Sequence, residues 1–383
     1  MAHNNTVLSQ ILKLVCRHEF ESLAKQHHQG QKLRKMTRWG QFTTLIIAQL
    51  SGRTSLRDIE GNMAAQQSKL YHLGIEKVSR STLARVNKSQ PSSLYESLFN
   101  RLLHRCQSRA PRHGFRFKNR LLSMDATTID LCLSVFPWAK FRTTKGAIKL
   151  HAVVDHEGYL PAFVSITNGK VHEVNMAKKL SLAKGSIVVM DRGYTDYSWY
   201  NALHNKGIWF VTRQKRNATF KVVKRRAVKK YTGLTSDQTI QVVGSKAGQC
   251  AIALRRIGYR DPETGKHYVF LTNNFKLAAK TIADIYKARW QIEMFFKWIK
   301  QNLKIKTFIG TSKNAVMTQI WIALCAYLIL SYLKFSSCMD RSIGQILKLL
   351  QLNIFERREL MPLIRGQTVE PPGSINHLQT SFL

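Results

Sequence analysis

The sequence predicts an α/β protein: a mixed sheet flanked by helices, with a β-rich insertion before the last functional helix and a helical N-terminal domain. Three features of the chain point to this. Residues 1 to about 106 are helical in pattern throughout. From about residue 120, three neighbouring strand-like runs are followed by alternating helix and strand, the pattern of a sheet covered on both faces. Residues 217 to about 274 break that alternation with further strand-like runs, after which helices resume through residue 354.

The N-terminal helices are FESLAKQHH, TRWGQFTTLIIAQLSG, SLRDIEGNMAAQ, SRSTLARVNK and SSLYESLFNRLLHRC. Ser55 and Ser81 are placed to cap helix starts, and Gly52 and Gly74 to end helices. SLRDIEGNMAAQ and SRSTLARVNK, joined by LYHLGIEKV, have the form of a helix-turn-helix unit that would present Arg80, Ser81, Thr82 and Arg85 to DNA. A plain helical bundle accounts for the same pattern. The basic stretch 107–119, broken by Pro111 and Gly114, is a linker.

RLLSMDATTIDLCL is the first strand, and AIKLHAVVDHEGYLPAFVSIT is a hairpin turning near His156, Glu157 and Gly158. The helix VHEVNMAKKLSLA precedes GSIVVMDRGY, a short β-branched strand that ends at Asp191. DYSWYNALHNKG is a helix and IWFVTRQK a strand. TFKVVKR, QTIQVV, QCAIALRRIGY and HYVFLTNN make up the insertion, and KLAAKTIADIYKARWQIEMFFKWIKQNL restores the helical pattern. The expected organisation is a helical DNA-binding domain with its linker over 1–118, a catalytic domain over 119–354, and a loose tail over 355–383 containing Pro371, Pro372 and Gly373.

With 60 Lys+Arg against 22 Asp+Glu in 383 residues, the net charge of +38 requires a polyanionic partner. Nucleic acid fits best, because each neutralised phosphate releases condensed counterions. An anionic membrane or a ribosome would satisfy the same charge. The six cysteines are scattered with no C-x-x-C pair, which excludes a zinc ribbon and a disulfide framework and suits a reducing cytoplasm. The apolar run 320–330 is too short for a span and is expected to be a buried core helix, so no membrane partner is expected.

Acids are scarce, so their positions are informative. Asp125 lies inside the first strand, where a charge is costly unless it is paired or bound to metal. Asp191 ends a buried strand, where open α/β sheets present functional groups. Glu293 stands among Tyr286, Arg289, Lys297 and Lys300 on a helical arc roughly 80° wide, beside an apolar face of Ile285, Ile292, Phe295, Phe296 and Ile299. An ordinary amphipathic helix would simply pair Glu293 with Arg289 or Lys297. Three converging carboxylates would instead suit hard Mg²⁺ or Mn²⁺, and two such ions would serve phosphodiester chemistry. Asp130, Asp155 and Asp196 are competitors that fit a strand end, a hairpin turn and a helix start. His151 and His172 lack a metal-binding partner pattern and are structural or DNA-contacting.

Tyr286, Arg289, Glu293 and Lys300 match the Tyr-x2-Arg-x3-Glu-x6-Lys signature at every spacing. DATT (125–128), KGAIKLH (145–151) and DRGY (191–194) reinforce the match. Over about 120–335 the chain resembles the DDE transposases of bacterial insertion sequences. That resemblance implies an RNase H-like catalytic core, with Asp125, Asp191 and Glu293 as catalytic metal ligands for Mg²⁺ or Mn²⁺. It implies DNA contacts by Tyr286, Arg289, Lys297, Lys300 and Lys149, with Arg80 and Arg85 added from the N-terminal helices. Terminal inverted repeats and target DNA would be the partners, bound by a homodimer in a bacterial cytoplasm, associated with the nucleoid. Relatives with an inserted β-domain can stack a flipped base on a tryptophan there; residues 217–274 hold none, and Tyr231, Tyr259 and Tyr268 are the aromatic candidates. A related chain that binds element ends without cutting, as a repressor, and a non-catalytic RNA-binding protein are the other function classes. Motif intactness opposes the first, and acids isolated among basic residues oppose the second.

Overall fold

The computed structural model describes residues 5–141, 145–244, 247–302 and 308–367. Its N-terminal part is built from α1 (Val7–Leu12), α2 (Arg17–Gln26), α3 (Arg38–Leu50), α4 (Leu56–Ala65), α5 (Gln67–Leu70), α6 (Arg80–Ser89) and α7 (Ser93–Gln107). Side-chain oxygens start several of these helices: Thr37 accepts from Gly40 N, Ser55 from Asp58 N, and Ser79 from Thr82 N. Ser79, and not the expected Ser81, therefore caps α6. The two serines flank Arg80 in SRS, so the pattern alone leaves the cap ambiguous by one step.

The strands are β1 (Leu121–Leu131), β2 (Gly146–Asp155), β3 (Leu160–Asn168), β4 (Ile187–Met190), β5 (Trp209–Arg213), β6 (Phe220–Arg226), β7 (Leu234–Val242), β8 (Leu254–Arg260) and β9 (His267–Thr272). They form one nine-stranded sheet in the order β3-β2-β1-β4-β5-β9-β8-β7-β6. β1, β2 and β3 are antiparallel neighbours, while β4 and β5 run parallel to β1. This five-strand half is the mixed sheet expected of an RNase H-like core. α8 (Glu173–Ala177) and α9 (Tyr197–Asn205) cover one face.

The four strands of the insertion do not form a separate sheet. β9 pairs antiparallel with β5, Val211 opposite Thr272, so the insertion extends the central sheet outward. A buried ion pair fixes it there: Arg255 donates to Asp237 at 2.7 Å and to the Leu277 carbonyl at 2.6 Å. That second bond ties β8 to the loop leading into α10 (Ala279–Ala288), which is followed by α11 (Trp290–Asn302). The expected apolar face is formed, with Ile285, Ile292, Phe295, Phe296 and Ile299 all buried.

α12 (Lys313–Ser337) is much longer than the apolar run 320–330 suggested. It is long and apolar enough to cross a membrane by length and composition, yet 89% of its most apolar window is buried within the protein. Helices that are apolar all round belong in a core. Two of its buried polar side chains are bonded locally: Gln319 accepts from Ile309 N at 2.9 Å, and Ser331 donates to the Tyr327 carbonyl at 2.8 Å. Trp321 packs on Phe99 of α7, and Tyr327 on Phe295 of α11, so α12 joins the N-terminal helices to the sheet. α13 (Ile343–Asn353) and α14 (Leu360–Arg365) join the same cluster. α14 lies in the segment expected to be a tail; six residues interrupted by Pro362 give too little periodicity to recognise. Val7 N donates to the Glu356 carbonyl at 2.9 Å, tying α1 to this end of the chain. Pro371, Pro372 and Gly373 lie outside the described residues.

Because α12 supplies the apolar wall on which α3, α6 and α7 close, residues 1–118 alone should keep some helix but melt without a cooperative transition in circular dichroism. In the full chain, Leu324→Ala should cost about 2–5 kcal/mol in urea unfolding. A sharp transition of the fragment would show that its helices need no wall.

Candidate active site

Strand register brings two acids together. β1 and β4 are parallel with Met124 opposite Met190, so Asp125 on β1 and Asp191, the first residue after β4, each follow the last residue of the paired register. β4 ends there, while β1 continues along β2 with Asp125 opposite Ala152. The polar atoms beside each acid are local: Asp125 Oδ1 accepts from Ala126 N at 2.8 Å, and Asp191 Oδ1 from Arg192 N at 2.7 Å. The buried face of α11 lies against β1 and brings Glu293 to the same edge.

Arg289 links these elements. Its Nη1 donates to Asp125 Oδ2 at 3.0 Å, and its Nη2 donates to Glu293 Oε1. The i,i+4 pair expected of an ordinary amphipathic helix is therefore present, but the same guanidinium also reaches the strand acid. Burial pulls Arg289 down, yet Tyr286, Asp125 and Glu293 outweigh it and hold the guanidinium above its usual value. Burial pushes the Asp125 carboxyl up to about 6; the Ala126 amide and Arg289 oppose this, and Asp191 and Glu293 add to it. Those interactions place Asp191 and Glu293 each within electrostatic reach of Asp125. Beneath them, burial raises the Tyr194 phenol, helped by Asp125, Glu173 and Asp191.

The other expected contacts divide by partner. Lys300 Nζ donates to the Thr128 carbonyl at 2.9 Å, tying α11 to β1, and Lys297 is exposed. Lys149 Nζ reaches the Val171 carbonyl at 3.2 Å and Glu173 at 3.4 Å. On α6, Arg80, Ser81 and Arg85 are exposed, but Thr82 is buried and donates its amide to Ser79, so it cannot face DNA. Asp155 pairs with Arg120 and accepts from Glu157 N in its hairpin turn, and Asp196 caps α9. Asp130 is exposed. His151 is buried against Thr167, and His172 precedes α8.

A cavity of about 400 Å³ opens beside Glu293 and Arg289, lined in part by Tyr259, Tyr268, Phe270, Tyr286 and Trp290. Tyr259 and Tyr268 of the insertion thus meet the α10–α11 segment, whereas Tyr231 is exposed and does not line the cavity. Sequence reasoning did not single out Tyr194, Glu173, Arg213 or Trp290. Two of them lay in quoted motifs, Tyr194 in DRGY and Trp290 directly after Arg289, where it is 58% exposed.

The donor set fits a hard divalent cation: three carboxylates, partly withdrawn from water, with Asp125 destabilised as an anion. Among the described residues, no three acids, histidines or cysteines already stand at metal-binding distances. Arg289 occupies oxygens of two of the three acids.

Residues 116–329 match the family described as a transposase DDE domain, a span that includes all three acids. The chain belongs to the DDE transposase family. A Sinorhizobium fredii protein named for a transposase, y4zB, is 32% identical over 76% of this chain and 81% of its own length. A Geobacillus stearothermophilus protein named for the transposase of insertion sequence element IS5377 is 29% identical over 87% of this chain and 86% of its own. Residues 3–76 match a domain of unknown function, DUF4372. A solved piggyBac transposase synaptic complex with hairpin DNA aligns with 96% of this chain and 84% of that chain, at 11% identity and a TM-score of 0.45. The transposase is thus an enzyme acting on DNA, in a family that normally uses a divalent metal.

The raised Asp125 value has a thermodynamic sign. Folding holds a proton on Asp125 to higher pH than the unfolded chain does, so stability is lost as pH rises from about 4 to about 6. In metal-free buffer, Asp125→Asn should therefore raise the melting temperature at pH 7 by a few degrees and leave it nearly unchanged at pH 4. Equal shifts at both values would remove the burial cost from Asp125.

Proposed function

We propose that this transposase binds the terminal inverted repeats of an insertion sequence, cuts at the element ends, and joins the freed 3′-hydroxyl to target DNA. The observation that carries the proposal is the register of Asp125 beside Asp191, with Glu293 brought to the same edge by α11 and linked through Arg289. In this reading the three carboxylates hold Mg²⁺ or Mn²⁺, two ions in the working complex. Bound there, the ions would activate a water or 3′-hydroxyl and stabilise the leaving oxygen. The chain's own part is to position and to exclude water. β1 would hold Asp125, the end of β4 would hold Asp191, and the buried face of α11 would hold Glu293.

The basic residues hold the substrate. Lys297 and Arg289 flank Glu293 and would clamp phosphates next to the scissile bond, while Tyr286 contacts the element's end. Lys300, bonded to the Thr128 carbonyl, and Lys149, beside Glu173, would meet DNA by giving up those bonds. Exposed Arg80 and Arg85 on α6 would read or grip the end from the N-terminal helices. The aromatic cavity has the lining to receive a base displaced from the stack, with Tyr259, Tyr268, Tyr286 and Trp290 in reach. A homodimer would bring two ends together, one active site to each, in the bacterial nucleoid.

The test is strand cleavage and joining on a labelled terminal-repeat duplex in Mg²⁺. Asp125→Ala, Asp191→Ala and Glu293→Ala should each abolish cutting nearly as fully as all three together, with DNA affinity held or raised. Asp130→Ala and Asp196→Ala should keep substantial activity. Normal cutting by the Glu293 variant would refute the three-carboxylate site, and wild-type binding without cutting would favour a repressor. Affinity should also fall steeply with salt, each neutralised phosphate adding about one unit to the log–log slope.

A further inference from the structure

Among the described residues, the ion pairs of Arg289 reach two of the three site carboxylates. Both oxygens of Asp125 are engaged: Oδ1 by the Ala126 amide and Oδ2 by Arg289 Nη1. Glu293 Oε1 is taken by Arg289 Nη2. A divalent ion seeking these oxygens would meet a fixed positive charge on the same atoms. Changing pH cannot remove that charge, because the guanidinium is held above a value that is already very high. Only movement of the side chain clears the site.

The surroundings provide both a reason and a direction for that movement. Arg289 Nε is buried without an acceptor, so the guanidinium is incompletely satisfied where it stands. The side chain borders the cavity that also presents Arg213 and Lys287, with the Tyr286 ring 5.6 Å from the guanidinium carbon. That cavity is lined by the cations Arg213, Lys287 and Arg289 together with the acids Asp261, Asp284 and Glu293; a phosphate held beside Arg289 accepts two parallel bonds from its guanidinium as well as a carboxylate does.

We propose that Arg289 gates the metal site. In the DNA-free chain it occupies carboxylate oxygens that the metal needs, and a DNA phosphate draws it away, so metal and DNA bind with positive coupling. The gate rests on the assignment of Asp125, Asp191 and Glu293 as metal ligands. Linkage makes it reciprocal: DNA tightens metal binding by the factor by which metal tightens DNA binding. The consequence is an enzyme that is poorly loaded until its substrate is in place.

The experiment is Mn²⁺ binding to the full chain, read by electron paramagnetic resonance, with and without a duplex carrying the element's end. Wild type should bind Mn²⁺ weakly alone and about tenfold or more tightly with the duplex. Arg289→Ala and Arg289→Gln should bind Mn²⁺ without DNA about tenfold more tightly than wild type, and the duplex should add little further. Arg192→Ala removes a positive charge beside Asp191 while leaving the Arg289 bonds to the carboxylates in place, and without DNA it should bind Mn²⁺ as wild type does. The gate is overturned if both Arg289 variants, folded by circular dichroism, bind Mn²⁺ as wild type does. It is equally overturned if Arg192→Ala reproduces their gain, which would make the effect one of general charge. Glu293→Ala separates the two failures: unaltered Mn²⁺ binding by that variant sinks the ligand assignment itself, whereas lost binding alongside inert Arg289 variants sinks the gate alone.

Discussion

Like charges at close quarters are the constraint around which the second half of this chain is arranged. The β1–β4 register pairs Met124 with Met190, and Asp125 and Asp191 follow directly, near enough for Asp191 to raise the Asp125 carboxyl. Glu293 adds a third negative charge from α11, and Asp125 is already pushed up to about 6, chiefly by burial. Arg289 relieves the repulsion by bonding two of the three acids. Much of the remaining architecture holds this arrangement in place. Arg255 pins the insertion to the approach to α10, and α12 backs α11 through Tyr327 and Phe295.

The acids were legible because acids are rare in this chain. Asp191 follows four buried apolar residues, Ile187 to Met190, and Glu293 sits beside an apolar face whose five members are all buried. Asp155 and Asp196 could be set aside for the turn and cap that they do form. The insertion was legible as strands but not as an extension of the central sheet, since pairing between β5 and β9 links residues too far apart for any local pattern to register. α12 was recognised only at its most apolar stretch, because buried Thr318, Gln319 and Ser331 interrupt the pattern, Gln319 and Ser331 bonding within the core. The least legible feature was Arg289: its spacing from Glu293 announces one pair, and nothing local announces the second, across 164 positions to Asp125.

Net charge alone overstates how much of the chain is free to hold DNA. Lys300 and Lys149 are tied to backbone carbonyls and, for Lys149, to Glu173, whereas Lys297, Arg80 and Arg85 are exposed. Among the described residues, the side chains that could meet a phosphate without breaking such a bond are therefore fewer than the net charge suggests, and positive charge also acts at longer range through the field it creates. The N-terminal helices are not an independent appendage in this arrangement, since α3 and α7 close on α12 and α12 closes on the sheet. A contact made on α6 is thus joined through α12 to the sheet that carries Asp125.

The most direct measurement is anomalous diffraction at the manganese edge from crystals of the full chain bound to a terminal-repeat duplex. The account predicts Mn²⁺ peaks within about 2.0–2.3 Å of oxygens of Asp125, Asp191 and Glu293, with the Arg289 guanidinium turned onto a DNA phosphate. Peaks held by Asp130, Asp155 or Asp196, with Arg289 still bonded to Asp125 and Glu293, would contradict it.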